Sequence, residues 1–101
     1  MRQVQMVNIV EITAATATIT PVTNTIYKCG ELTSLTITNA PATGEYSITF
    51  TSGSTATTVT GITSINGLAD FEPEESKIYE INVLDNRAVV GTWDVPVVEV
   101  V

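Results

Sequence analysis

Histidine is absent from this 101-residue sequence, and cysteine occurs once, at Cys29. Without histidine there is no Ser-His-Asp or Cys-His nucleophile system. Zinc sites of the histidine-bearing kinds are excluded too, and one cysteine cannot build an all-cysteine site. No intrachain disulfide can form, so the core alone must hold the fold. Basic residues are almost as scarce. Arg2, Lys28, Lys77 and Arg87 stand against eleven acids, for a formal net charge of −7. Four cations cannot neutralise a row of phosphates, so nucleic acid is not an expected partner. Long apolar runs are also missing. Threonine and charge interrupt every stretch well short of the roughly 18 apolar residues that a membrane helix needs. No membrane is expected. Residues Met1–Met6 lack the continuous apolar segment of a signal peptide. The expectation is a soluble, unprocessed chain made in the cytoplasm, without cofactor or metal and without enzymatic activity.

What fills the chain instead is threonine, valine and isoleucine, at 18, 13 and 10 residues. These side chains are stiff at χ1 and suit a pleated surface better than a helix. Turn chemistry falls at Asn39-Ala-Pro41-Ala-Thr-Gly44, Thr51-Ser-Gly53-Ser, Asn66-Gly67 and Asp85-Asn86. That spacing predicts an all-β fold, a single antiparallel β-sandwich of Ig-like or jelly-roll-like kind over residues 1–101. Strands are expected at about 3–12, 15–20, 24–28, 33–38, 45–51, 55–60, 77–84, 87–93 and 95–100. The one helical candidate is a single turn at Pro73-Glu74-Glu75-Ser76, with proline at the first helical position. No internal repeat of 20–50 residues stands out.

Two segments alternate cleanly. In Glu45–Thr51, Tyr46, Ile48 and Phe50 point one way, and Glu45, Ser47, Thr49 and Thr51 point the other. In the hairpin, a two-residue loop at Asp85-Asn86 sets Leu84 opposite Arg87 and fixes the register. One face then holds Tyr79, Ile81 and Val83 with Ala88, Val90 and Thr92, and is expected to be core. The other holds Ile78, Glu80, Asn82 and Leu84 with Arg87, Val89, Gly91 and Trp93. That mixed face is the candidate partner surface.

Each chemical candidate has a plain structural alternative. Asp70, Glu72, Glu74, Glu75 and Glu80 could hold calcium or act as paired carboxylates. Their spacing does not match an EF-hand loop, so the reading is a solvated acidic turn before a strand. Lys28 beside Cys29 could activate the thiol, but a small buried hydrophobe is the expected role. Trp93 could be a core residue, an interface anchor or a sugar-stacking platform. The C-terminal Val95-Pro96-Val97-Val98-Glu99-Val100-Val101 is apolar to its last residue. It could be a final strand of its own domain or an arm that adds to a neighbour's sheet. The N-terminal stretch Val4–Ile12, which includes Met6 and Val7, admits the same two readings, since both of its faces carry apolar residues. The candidate interface residues are therefore Ile78, Val89 and Trp93, with Met6, Val7, Val97, Val98, Val100 and Val101 in the two ends. Residues 1–12 and 95–101 are the candidate subunit-contacting segments.

One order of segments looks familiar. Phe50-Thr51-Ser52-Gly53-Ser54-Thr55-Ala56-Thr57-Thr58 is followed by Asn66-Gly67 and by Phe71-Glu72-Pro73-Glu74. Then come Tyr79-Glu80-Ile81-Asn82-Val83-Leu84-Asp85 and Val89-Val90-Gly91-Thr92-Trp93. Together with Cys29-Gly30-Glu31-Leu32-Thr33-Ser34-Leu35, this resembles a β-stranded module of tailed-bacteriophage structural proteins. Such modules occur in head fibres, auxiliary capsid proteins and tail appendages. The sequence departs from that pattern at Ile62-Thr63-Ser64-Ile65, where proline and then tryptophan would precede Asn-Gly. The resemblance implies a virion protein without catalysis, an auxiliary capsid or head-fibre component on the capsid surface. It would bind the major capsid protein, other virion proteins or its own copies as a homo-oligomer. The alternative is a carbohydrate- or receptor-binding module of a tail appendage or adhesin.

Overall fold

The structure is a computed structural model and describes residues 7–96. These residues form eight strands and no helix. The strands are β1 (Asn8–Ile12), β2 (Thr16–Ile19), β3 (Thr25–Glu31), β4 (Ser34–Ile37), β5 (Glu45–Ser52), β6 (Thr58–Thr60), β7 (Lys77–Leu84) and β8 (Arg87–Asp94). All-β is thus the class, and these strands lie within the segments expected or within a few residues of them. The expected helical turn at 73–76 is absent. The backbone N–H of Glu74 donates to the Tyr79 hydroxyl, and that of Ser76 donates to the Gly53 carbonyl. With Ser76 at φ 59° the chain turns directly into β7. Val95 and Pro96 lie beyond β8 outside any strand, and the rest of the expected strand at 95–100 lies outside the described residues.

The connectivity differs from the antiparallel sandwich expected. One sheet has the order β1-β3-β5-β7-β8 and the other β2-β4-β6. The pairs β1–β3, β3–β5, β2–β4 and β4–β6 are all parallel, and only β5–β7 and β7–β8 are antiparallel. Ig-like and jelly-roll sandwiches are built from antiparallel pairs. Here the chain alternates between the two sheets and advances one strand position on each pass, so β1 to β6 wind as a flattened coil. The corners stack as well as the strands. Thr33 N–H donates to Ala15 O and Thr58 N–H to Thr33 O on one side. Asn8 N–H donates to Asn24 O and Asn24 N–H to Glu45 O on the other. Parallel neighbours cannot be joined by a tight turn. A pass through the opposite sheet supplies the necessary crossover.

The inner faces of both sheets share one core. Tyr27, Tyr46, Ile48, Phe50, Tyr79, Ile81 and Val83 come from the larger sheet, and Ala17, Ile19, Leu35 and Ile37 from the smaller. The segment between β6 and β7 closes one side with buried Ile62, Ile65 and Leu68. Phe71 packs edge-on against Tyr79, with ring centroids 5.2 Å apart. The outer face of the smaller sheet is a hydroxyl grid. Thr16, Ser34 and Thr58 form one row and Thr18, Thr36 and Thr60 the next.

Candidate interaction surface

The hairpin pairs as a two-residue Asp85-Asn86 loop requires. Asp85 and Asn86 take φ values of 49° and 62°, the left-handed pair of a type I′ turn. Leu84 then faces Arg87, Asn82 faces Val89, Glu80 faces Gly91 and Ile78 faces Trp93. Tyr79, Ile81 and Val83 are buried, and Ala88 and Val90 pack partly against the core.

Register carries the other face across all five strands. Ile9 pairs with Ile26, Ile26 with Ser47, Ser47 with Asn82 and Asn82 with Val89. The next row runs through Glu11, Lys28, Thr49, Glu80 and Gly91. This outer face is apolar at both flanks and polar along its middle. Ile9 is 56% exposed, Leu84 52%, Val89 73% and Trp93 53%. The middle is tied by short hydrogen bonds. The Ser47 hydroxyl donates to Asn82 Oδ1 at 2.7 Å, and Asn82 Nδ2 donates to Glu80 Oε1 at 2.9 Å. A shallow groove of about 360 Å³ lies at one end, with Val7 and Ile26 on one bank and Leu84, Arg87 and Val89 on the other.

Trp93 is not a core residue. It stands on the outer face of β8, beside half-buried Ile78. Its indole leans back over Gly91, where a Cβ would come within 3.0 Å of Cη2. Gly91 therefore makes room for the ring, which a bulkier residue would push off the sheet. At the same end of the hairpin Lys77 pairs with Asp94 at 2.5 Å. Each partner shifts the other, the hydrogen bond raising the lysine pKa and lowering that of the aspartate.

Of the residues singled out in the sequence, Ile78, Val89 and Trp93 share this face, and Val7 lines its groove. Met6, Val97, Val98, Val100 and Val101 lie outside the described residues. Ile9, Ile26, Leu84 and Arg87 belong to the same surface. Only the hairpin members among them could be placed there from sequence, because the β1–β3 pairing is non-local. The acids separate. Asp70, Glu72, Glu74 and Glu75 follow the loop before β7, while Glu80 lies on the outer face beside Asn82. Among the described residues no three acids or cysteines gather as a metal site would require. Cys29 is half-buried against the core, and burial pushes its thiol pKa up, away from a reactive thiolate. Apolar flanks around a hydrogen-bonded polar centre are the make-up of a docking surface. Compared with protein-family models, curated proteins and solved structures, the chain finds no match.

Proposed function

We propose that this chain is a structural component of a bacteriophage virion, an auxiliary capsid or head-fibre protein that adheres through the outer face of its larger sheet. The observation that carries the reading is the exposure of Ile9, Leu84, Val89 and Trp93 on one continuous sheet face while a full core lies beneath it. Exposed apolar side chains grouped at the flanks of a polar centre support a docking surface with a wet component. Residues 1–101 then act as one domain, with residues 1–12 and 95–101 as further subunit-contacting segments. The major capsid protein, another virion protein or sister copies are the partners, and the capsid surface is the location. The negative charge keeps the free chain soluble before assembly.

A mass-spectrometric inventory of purified virions carrying this gene tests the reading. The chain should appear among the structural proteins, and the double variant Val89→Ser with Trp93→Ala should lower its copy number. A chain missing from the virions contradicts the proposal.

A second reading, glycan or receptor binding, is favoured by one observation, the Trp93 ring held over Gly91. Such a ring is a stacking platform. Tryptophan fluorescence that shifts on adding sugars, and stays constant on adding capsids, would select it.

A further inference from the structure

The coil formed by β1 to β6 has two ends, and they are finished differently. At one end the antiparallel β7–β8 hairpin continues the larger sheet. There Ile62, Ile65 and Leu68 are buried in the segment that follows β6. At the other end, β1 and β2 are both edge strands. Stacked coils bury their core only against neighbours, so terminal coils need a cap. This end lacks one among the described residues. Val10, on the inner side of β1, is 40% exposed.

The hydrogen-bonding groups at this end can be assigned. Asn8 N–H points at β3, bonding Asn24 O, so Ile9 and Glu11 turn theirs outward. Ile19 O points at β4, accepting from Thr38 N–H, so in the smaller sheet Thr16 and Thr18 turn their backbone groups outward. Edges are usually protected by proline, charge, a bulge or shortness. Neither β1 nor β2 contains proline, lysine or a bulge, and Glu11 is the one charge on these two short strands.

We infer that this open coil end is a homodimerisation edge, at which β1 and β2 pair antiparallel with β1 and β2 of a second copy. This rests on the reading of the protein as an assembly component. The occupant follows from geometry. A partner must offer two strand edges at the separation of β1 and β2, one for each sheet. A second copy of the same coil end offers them. A two-fold axis perpendicular to the sheets sets both pairs together, as an isologous contact requires. Charge permits it. A two-fold centred on Ile9 or Val10 sets Glu11 against Val7 or Ile9 of the second copy, and within each copy Glu11 lies beside Lys28. The contact is small, so the dimer is a weak one that forms at high concentration.

Amide hydrogen exchange of the full chain, followed over a concentration series up to about 1 mM with sedimentation alongside, tests this. The amides of Ile9, Glu11, Thr16 and Thr18 should gain protection together as the dimer forms. Ile9→Lys should weaken association by about tenfold or more, since an edge lysine opposes strand addition. A chain that stays monomeric throughout overturns the inference. So does a dimer in which these four amides still exchange fast, because it would use another surface. Protection that does not change with concentration also overturns it, because the chain's own remaining residues would then cover the edge. The virion inventory is independent of these outcomes. A monomer found in virions defeats only this inference, and a dimer absent from virions defeats only the functional proposal.

Discussion

The two ends of the coil teach different lessons about the same problem. Both must cover parallel strands whose backbone groups point away from the molecule. At the hairpin end, β7 reverses direction and β8 follows through a two-residue turn, so the sheet gains two long strands and a second layer of contacts. Ile81, fully buried, sits between Ile48 on β5 and Val90 on β8. At the β1 end nothing comparable is present among the described residues, and apolar side chains remain in water. One end is extended by two long strands over a buried row, and the other stops at two short edge strands.

The largest effect that would sharpen this contrast belongs to Ile81. Ile81→Ala should cost about 2–5 kcal/mol in urea unfolding, as for other buried aliphatic truncations. Ile9→Ala, at the open end, should stay within about 0.5 kcal/mol at concentrations where the chain is monomeric. Equal costs at the two positions would break the comparison.

Next in size is the corner between the second and third turns of the coil. The buried Thr57 hydroxyl donates to Leu32 O at 2.6 Å, and Thr57 N–H donates to the buried Ser52 hydroxyl at 3.0 Å. Thr57→Val keeps the shape and strands the Leu32 carbonyl, at about 1–3 kcal/mol. Calorimetry should show a lower melting temperature. An unchanged one would mean that the coil does not depend on this stacked corner.

The hairpin turn comes third. Asn86→Ala forces alanine into the left-handed region and removes the bond from Asn86 Nδ2 to Ser64 O. The penalty should be about 1–2 kcal/mol, read as a loss of thermal stability. Asn86→Gly should recover most of it, since glycine adopts that conformation freely.

Smallest are the titration effects. Lys77 and Asp94 form an exposed pair, and such pairs contribute little. The sign is fixed. Asp94 has a lowered pKa in the folded state, so its contribution is present above the unfolded value and is lost as pH falls through the folded one. Lys77 has a raised pKa, so its share is present below the unfolded value and lost as pH rises through the folded one. Asp94→Asn should leave stability at neutral pH almost unchanged. Cys29, with its raised pKa, should react with iodoacetamide more slowly in the folded chain than in denaturant. Equal rates would place the thiol in water.

How much of this was legible in the sequence depends on the range of the pairing. The hairpin register was readable residue by residue, because Asp85-Asn86 fixes every pair from Leu84–Arg87 outward. The buried set Tyr46, Ile48 and Phe50 was readable from alternation within one strand. The parallel coil was not. Its pairs join residues about 17 to 24 apart, such as Asn8 with Thr25 and Ser34 with Thr58. The intervening corners differ in length, so no repeat of fixed period survives in the sequence. Threonine on both strands of a pair satisfies parallel and antiparallel ladders equally well. For the same reason the hairpin half of the interaction surface was visible, while Ile9 and Ile26 on its far flank were not. The sequence does not decide between core and surface for Trp93, because Gly91 becomes its support only once both lie on one face.

The winding itself is most directly tested by proton contacts in the smaller sheet. Antiparallel strands bring backbone α-protons of non-hydrogen-bonded pairs close together, with Cα atoms about 4.5 Å apart, and parallel strands do not. Nuclear Overhauser spectra should place Leu35 between Ala17 and Val59, without strong α-proton to α-proton contacts among β2, β4 and β6. They should show such contacts across β5–β7 and β7–β8. Strong α-proton contacts joining β4 to β2 or β6 would contradict the coil, and with it the open end that distinguishes one side of this molecule from the other.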